Sequence, residues 1–92
     1  EVFNEIILQE APLYSSYQQL LTTLQGKLLR ALARDEEIEI PYSQQFLNKH
    51  QLGAASSVRR ALEMLKEKEF VIHYQQKYFI HDTLLMRWLQ QL

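Results

Sequence analysis

The segment AASSVRRALEMLKEKE, residues 54–69, carries Val58, Ala61, Leu62 and Leu65 at positions i, i+3, i+4 and i+7. That spacing lines one face of an α-helix with apolar side chains. What stands on either side of it restricts the fold further. Upstream, Ser43 is placed to cap a short helix, QQFLNKH, with Phe46 and Leu47 turned inward. Gln51, Leu52 and Gly53 are the turn between the two helices, and Gly53 can take the left-handed backbone that ends a helix. Downstream, Phe70 to Tyr74 reads as a strand, Gln75-Gln76-Lys77 as a hairpin tip, and Tyr78 to His81 as the returning strand. Two helices on a tight turn, followed at once by a hairpin, make a helix-turn-helix closed on one side by a small β-flap.

The flanks supply the rest of a core. In TTLQGKLLRALARD, Thr22 and Gln25 have capping-box spacing, and Leu24, Leu28, Ala31 and Leu32 form an apolar stripe. Gly26 costs such a helix about 1 kcal/mol relative to Ala, so a close approach of a neighbouring helix is expected there. EIEIP alternates, with Ile38 and Ile40 inward and Glu39 outward, and predicts a short strand stopped by Pro41. Asp82 is expected to cap a last helix, TLLMRWLQQL, with Leu84, Leu85, Trp88, Leu89 and Leu92 on a wide apolar face. Residues 2–11 place Val2, Phe3, Ile6 and Ile7 at helical spacing. Pro12 can open a second N-terminal helix, with Leu13, Tyr17, Leu20 and Leu21 on one face. The expected fold is therefore mostly α with a small β-hairpin. It is a winged helix-turn-helix, a three-helix core plus wing, with extra N- and C-terminal helices.

At 92 residues the chain has room for one core. With 47% hydrophobic and 23% charged residues it is neither a disordered tail nor a fibrous chain. It lacks Cys, which removes thiol catalysis, disulfides and zinc fingers and fits a reducing, cytoplasmic location. No apolar run has the ~18 residues of a membrane span. The chain opens on Glu1 without Met, and we expect it to be a piece of a longer protein. Its net charge of −1 hides a polarity. Residues 1–42 hold three Lys/Arg against seven Asp/Glu, whereas residues 43–81 hold six against three. Positive charge is thus concentrated in the helix-turn-helix and hairpin.

LLRALA (28–33), SQQFLNKHQLGAASSVRRALEMLKEKEFV (43–71) and YFIHDTLLMRWL (78–89) resemble the C-terminal winged-helix domain of archaeal-type AAA+/STAND-like ATPases of archaea and bacteria. Val58, Arg60, Ala61, Leu62, Leu65, Asp82, Arg87, Trp88 and Leu89 carry the resemblance. Three positions depart from the pattern. Ala54 stands where a Ser cap is common, Thr83 where Pro usually follows the Asp, and the hairpin tip lacks the usual Gly. The resemblance implies that residues 1–21 are the end of an upstream ATPase lid and that residues 22–92 are the winged-helix domain with its C-terminal helix. It also implies that ATP and Mg belong to the parent protein. This chain has no G-x-x-x-x-G-K-S/T and only two Gly, so it has no phosphate-cradling loop of that kind and no cofactor of its own is expected.

Candidate DNA contacts are Ser56, Ser57, Arg59 and Arg60 on the 54–69 helix, Lys49 with His50 before the turn, and Lys77 with Gln76 at the wing tip. Small polar residues in a first helical turn let backbone N–H groups and hydroxyls approach a phosphate, and the arginines follow where a recognition helix presents its longer side chains. The opposing reading is a solvated helix face. Glu63 is i+4 from Arg59 and i+3 from Arg60, and Glu63 and Glu67 would repel phosphate. His73 and His81 can meet across the hairpin, but beyond Asp82 no third metal ligand is evident, and no metal site is expected. No carboxylate pair is set for acid–base work, and no motif frames a nucleophile, so the chain is not expected to be an enzyme. The tyrosines and Trp88 are expected to fill the core.

Three functions follow as expectations. The first is a non-catalytic winged-helix domain of a larger ATPase that binds double-stranded DNA or positions the ATPase on it. The second is a regulatory module that docks on its own ATPase domain or on a partner protein. The third is a free-standing transcription regulator. The apolar terminal helices either pack on each other or, left uncovered, would drive a homodimer.

Overall fold

The structure, a computed structural model, describes residues 15–16, 19–36 and 38–91. Its elements are α1 (Thr23–Asp35), α2 (Gln44–His50), α3 (Ala55–Glu67), β1 (Val71–Tyr74), β2 (Lys77–Ile80) and α4 (Thr83–Gln90). The mostly helical architecture with a two-stranded antiparallel hairpin is the one expected.

Helix α1 is the axis of the molecule. Its start is fixed by the capping box: the Gln25 backbone N–H donates to Thr22 Oγ1 at 3.1 Å, and the Thr22 N–H donates to Gln25 Oε1 at 3.2 Å. The Gln25 side chain is buried and also accepts from Lys68 Nζ at 3.3 Å, so its carbonyl is satisfied twice. Leu28, Leu29, Ala31, Leu32 and Ala33 are all buried, because α1 is covered by α3, α4 and β2 together. Helix α3 contributes Val58, Ala61, Leu62 and Leu65, the stripe read from the sequence. Helix α4 contributes Leu85 and Leu89. Its first turn is held by Asp82, whose Oδ1 accepts from the N–H groups of Leu84 (2.9 Å) and Leu85 (3.2 Å). At its other end the Gln90 amide donates to the Ala33 carbonyl at 2.6 Å, which locks α4 along α1. The apolar face of α4 is thus largely used within the chain: Leu84, Met86 and Trp88 pack against the core as partly buried neighbours.

Strands β1 and β2 pair Val71 with Ile80, Ile72 with Phe79, His73 with Tyr78 and Tyr74 with Lys77. Val71, Tyr78 and Ile80 are buried, and the opposite face is half-exposed. His73 lies flat on the Tyr78 ring, centroids 4.0 Å apart and planes 6° apart.

Several expectations are corrected. Residues 38–41, the described part of EIEIP, do not form a strand. Ile38 makes a single antiparallel bridge to Tyr78, donating at 3.1 Å and accepting at 2.7 Å, and the chain then turns. Ile40 is 49% exposed and Pro41 is buried in its place, so the alternation places only Ile38 toward the core. The hairpin tip is the pair Gln75-Gln76, both with positive φ, and Lys77 already belongs to β2. Helix α2 ends on Gln51 (φ 54°), not on Gly53, which takes φ 90° in the following turn. Of the residues expected to line a second N-terminal helix, Leu20 is 70% exposed and Leu21 half-buried against the core. Leu13 and Tyr17, the apolar run at 2–11 and Leu92 lie outside the described residues.

Gly26 does not mark a close helix contact. A Cβ there would meet only the Arg30 guanidinium, at an ordinary 3.5 Å. Gly26→Ala is therefore expected to stabilise the domain by about 0.5–1 kcal/mol, through helix propensity and a less flexible unfolded chain. Urea denaturation measures it, and a loss of stability would contradict the open site.

Candidate recognition surface

Helix α3 lies with its apolar stripe on α1 and turns Ser56, Ser57, Arg59, Arg60, Glu63 and Glu67 outward. These side chains do not form one uniform patch. Ser56, Ser57 and Arg60 border a cleft of about 320 Å³ with Thr22, Leu24, Gln25 and Met64, between the first turns of α1 and α3. Arg59 points to the other flank. Its guanidinium sits over the Tyr42 ring, 4.2 Å from the centroid, and borders a second cleft with Leu62, Glu63 and Tyr78. Such a cation–π contact fixes the side chain without neutralising it. The α3 start has no side-chain cap, because Ala54 occupies the cap position; the first-turn N–H groups are left to water or to a ligand.

The i,i+4 and i,i+3 pairs expected between the arginines and Glu63 do not form. Glu63 pairs instead with Lys66 at 3.5 Å, a weak contact between exposed groups. Arg60 makes no ion pair among the described residues and stands exposed. Glu67, one turn past Glu63, is exposed as well, so the outward face changes character along its length. Its first two turns are small, polar and basic; its last two carry the acids.

Lys49 is held elsewhere. Its Nζ donates to Asp35 Oδ1 at 2.9 Å, while His50 Nε2 contacts Asp35 Oδ2 at 3.1 Å, so both belong to the end of α1. The His50 ring is also packed at 4.7 Å from Phe46. Lys77 is exposed at the hairpin end, opposite Tyr74, which is 61% exposed. Gln76 stands in the turn itself. The structure therefore brings Ser56, Ser57 and Arg60 together, sets Arg59 beside them, and places Lys49 and Lys77 at separate points of the surface.

Two titrating groups are displaced from their ordinary values. Burial acts to raise Asp35, but the hydrogen bonds and positive charges of Lys49 and His50 outweigh it and hold the carboxyl below its usual range. Burial pushes the Tyr78 phenol up; the nearby Lys66 charge opposes this, and Tyr42 and Glu63 add to it. Tyr78 therefore stays neutral at physiological pH. For Asp35 the folded value lies below the unfolded one. Its contribution is complete above about pH 4 and is lost as the pH falls through the folded value. The Lys49 leg is exposed and adds little, whereas the His50 leg is enclosed on both sides. Asp35→Asn should cost about 1–2 kcal/mol at neutral pH, with the gap to the parent domain closing on acidification. Melting curves across that range check it. A gap that stays constant down to low pH would contradict the assignment.

Among the described residues no group of three or more His, Cys, Asp or Glu side chains is placed to hold a metal ion. No helix among them is long and apolar enough to cross a membrane. His73 is stacked on Tyr78, and His81 borders a different cleft with Phe70 and Asp82.

Sequence reasoning overlooked the partners that position these residues. The Tyr42 seat of Arg59 lies outside the helix and gives no periodic signal. Lys27, Arg30 and Arg34 share the outer face of α1, yet the acidic total of residues 1–42 hides them.

No match was found among curated proteins, and none among solved structures. A family model does match, described as "Probable winged helix domain", over residues 12–91. Its span takes in the helix-turn-helix, the hairpin and the closing helix described above. By fold and by this match, the chain belongs to that winged-helix family.

Proposed function

We propose that the domain is a non-catalytic binding module that holds double-stranded DNA on the first two turns of α3. Arg60 carries the reading: it is a full cation on the outward face, with no ion pair inside the described chain and with Ser56 and Ser57 beside it. A duplex phosphate supplies what that group lacks, and the small hydroxyl residues let the backbone come close. Arg59, seated on Tyr42, contacts the flank, and Lys77 reaches the duplex from the wing. Lys49 serves at the edge, its charge shared with Asp35. The acids Glu63 and Glu67 limit how far the duplex lies along the helix, so the contact is with backbone more than with a long stretch of base edges.

In this reading residues 22–92 are the DNA-positioning end of an AAA+/STAND-type ATPase, residues 1–21 lead from its lid, and ATP with Mg stays on the parent protein. The resemblance of residues 43–71 and 78–89 supports that placement. A second reading, docking on a protein, is favoured by one observation: Met64 and Leu24 give an apolar margin to the cleft that Arg60 and the serines border. Titration of a labelled random-sequence duplex separates the two. Binding at low salt that weakens steeply as salt rises supports DNA. Absence of binding at low salt contradicts it and favours the protein partner.

A further inference from the structure

Arg59 and Arg60 are neighbours in sequence but differ in what holds them. Arg60 stands exposed beside the serines, whereas Arg59 lies on an aromatic ring that comes from before α2. That ring is itself fixed. Tyr42 packs against the core as a half-buried neighbour. Pro41, the residue before it, is buried, and the turn that carries both is closed by the Ser43 N–H, which donates to the Ile40 carbonyl at 3.0 Å. Ser43 in turn caps α2, its Oγ accepting from the Phe46 N–H at 3.2 Å. The ring is thereby tied to the core and to the start of α2.

The seat decides what Arg59 can do. A cation 4.2 Å from a ring centroid keeps its charge, and the ring face takes up little of the donor capacity of the five guanidinium N–H groups. A carboxylate in that place would neutralise the charge and occupy the donors. Glu63 borders the same cleft, but it is paired with Lys66 at 3.5 Å and not with Arg59. A free Arg side chain loses rotamer freedom when it clamps a phosphate; one already laid on a ring has given up much of that freedom before the ligand arrives.

We propose that Tyr42 is a positioning residue for the recognition surface: it holds the Arg59 guanidinium ready for a bidentate grip on a duplex phosphate at the flank of α3. The inference rests on the DNA reading above and adds to it a residue from outside the helix-turn-helix and the wing. It follows that Lys is a poor substitute at position 59, because an ammonium lacks the planar fork that lies on the ring and meets two phosphate oxygens together.

The test is a double-mutant cycle on the binding of a labelled random-sequence duplex at low salt, read by fluorescence anisotropy. Tyr42→Leu keeps apolar bulk against the core but removes the ring. It should weaken binding about two- to tenfold, the cost of ordering one long side chain on association. Arg59→Gln, which keeps Arg60, should still bind, and in that background Tyr42→Leu should do nothing further, because the group it positions is gone. Tyr42→Phe, which keeps the ring, should bind as the parent domain does. Arg59→Lys should lose affinity although its charge is unchanged. Urea denaturation confirms that each variant is folded under the binding conditions. Equal losses from Tyr42→Leu with and without Arg59 would assign Tyr42 to the fold alone and overturn the proposal. Parent-like binding by Tyr42→Leu or by Arg59→Lys would overturn it too, as would a loss in Tyr42→Phe, which makes the hydroxyl a direct contact. In each of these cases the α3 reading stands. A parent domain that does not bind at low salt overturns that reading and this inference together.

Discussion

Arg59→Glu together with Arg60→Glu is expected to abolish the salt-dependent shift of duplex DNA, an affinity loss of about a hundredfold or more. The two substitutions replace both outward cations of the first α3 turns and bring four acids onto one helix face, with Glu63 and Glu67. The fold should survive. Both side chains are exposed, and the packing they give up, Arg59 over Tyr42, is worth about 0.5–1 kcal/mol at such a site. A melt close to that of the parent domain, with the DNA shift gone, is the expected pair of results. An unchanged shift would contradict the assignment of both residues, and a large drop in melting temperature would mean that the Tyr42 stack is structural.

The largest effect on stability is expected at Leu32. It is fully buried in α1, the helix against which α3, α4 and β2 all pack. Leu32→Ala removes apolar packing and leaves a cavity that three elements would have to close together, so a loss of about 3 kcal/mol or more is expected. For a domain of this size that is a large share of a total of about 5–14 kcal/mol. Chemical denaturation should show a lower midpoint with an unchanged slope. Met64→Ala, at an exposed position, is the comparison and should shift stability by about 0.5 kcal/mol or less. Equal losses at the two positions would contradict the packing described.

The helices were legible because their signals are local and repeat. Thr22 with Gln25, Ser43 and Asp82 each announced a helix start, and each makes the expected cap. The stripe Val58, Ala61, Leu62, Leu65 gave the buried face of α3 without error. The turns were less legible, and for a physical reason. Glu36, Gln51, Glu69, Gln75 and Gln76 all adopt positive φ, a conformation that costs a residue with a Cβ about 1–2 kcal/mol and is normally signalled by Gly or Asn. The surrounding packing imposes it here. Leu52 is buried just past Gln51 and its N–H donates to the Leu47 carbonyl at 3.0 Å, which drags Gln51 into the left-handed region. Ile40 shows the limit of alternation: one bridge to Tyr78 satisfies Ile38, and Pro41 takes the buried place instead.

The surface was half legible. Residue type and helical spacing put Ser56, Ser57, Arg59 and Arg60 outside, where they are. Which cation is tied down depends on residues distant in sequence. Asp35 is drawn to Lys49 across fourteen positions, and Tyr42 seats Arg59, and neither pairing has a local pattern. Charge totals over long segments also mislead. The acids of residues 1–42 and the basic face of α1 fall in the same total, so the total does not show that face.

The most direct measurement is an amide-resolved NMR titration of the isotope-labelled domain with a short duplex at low salt. The amides of Ser56, Ser57, Arg59 and Arg60 should move together, followed by that of Lys77, while α4 stays still. Shifts confined to α4 and the hairpin base, with Ser56–Arg60 unmoved, would contradict a DNA surface on α3.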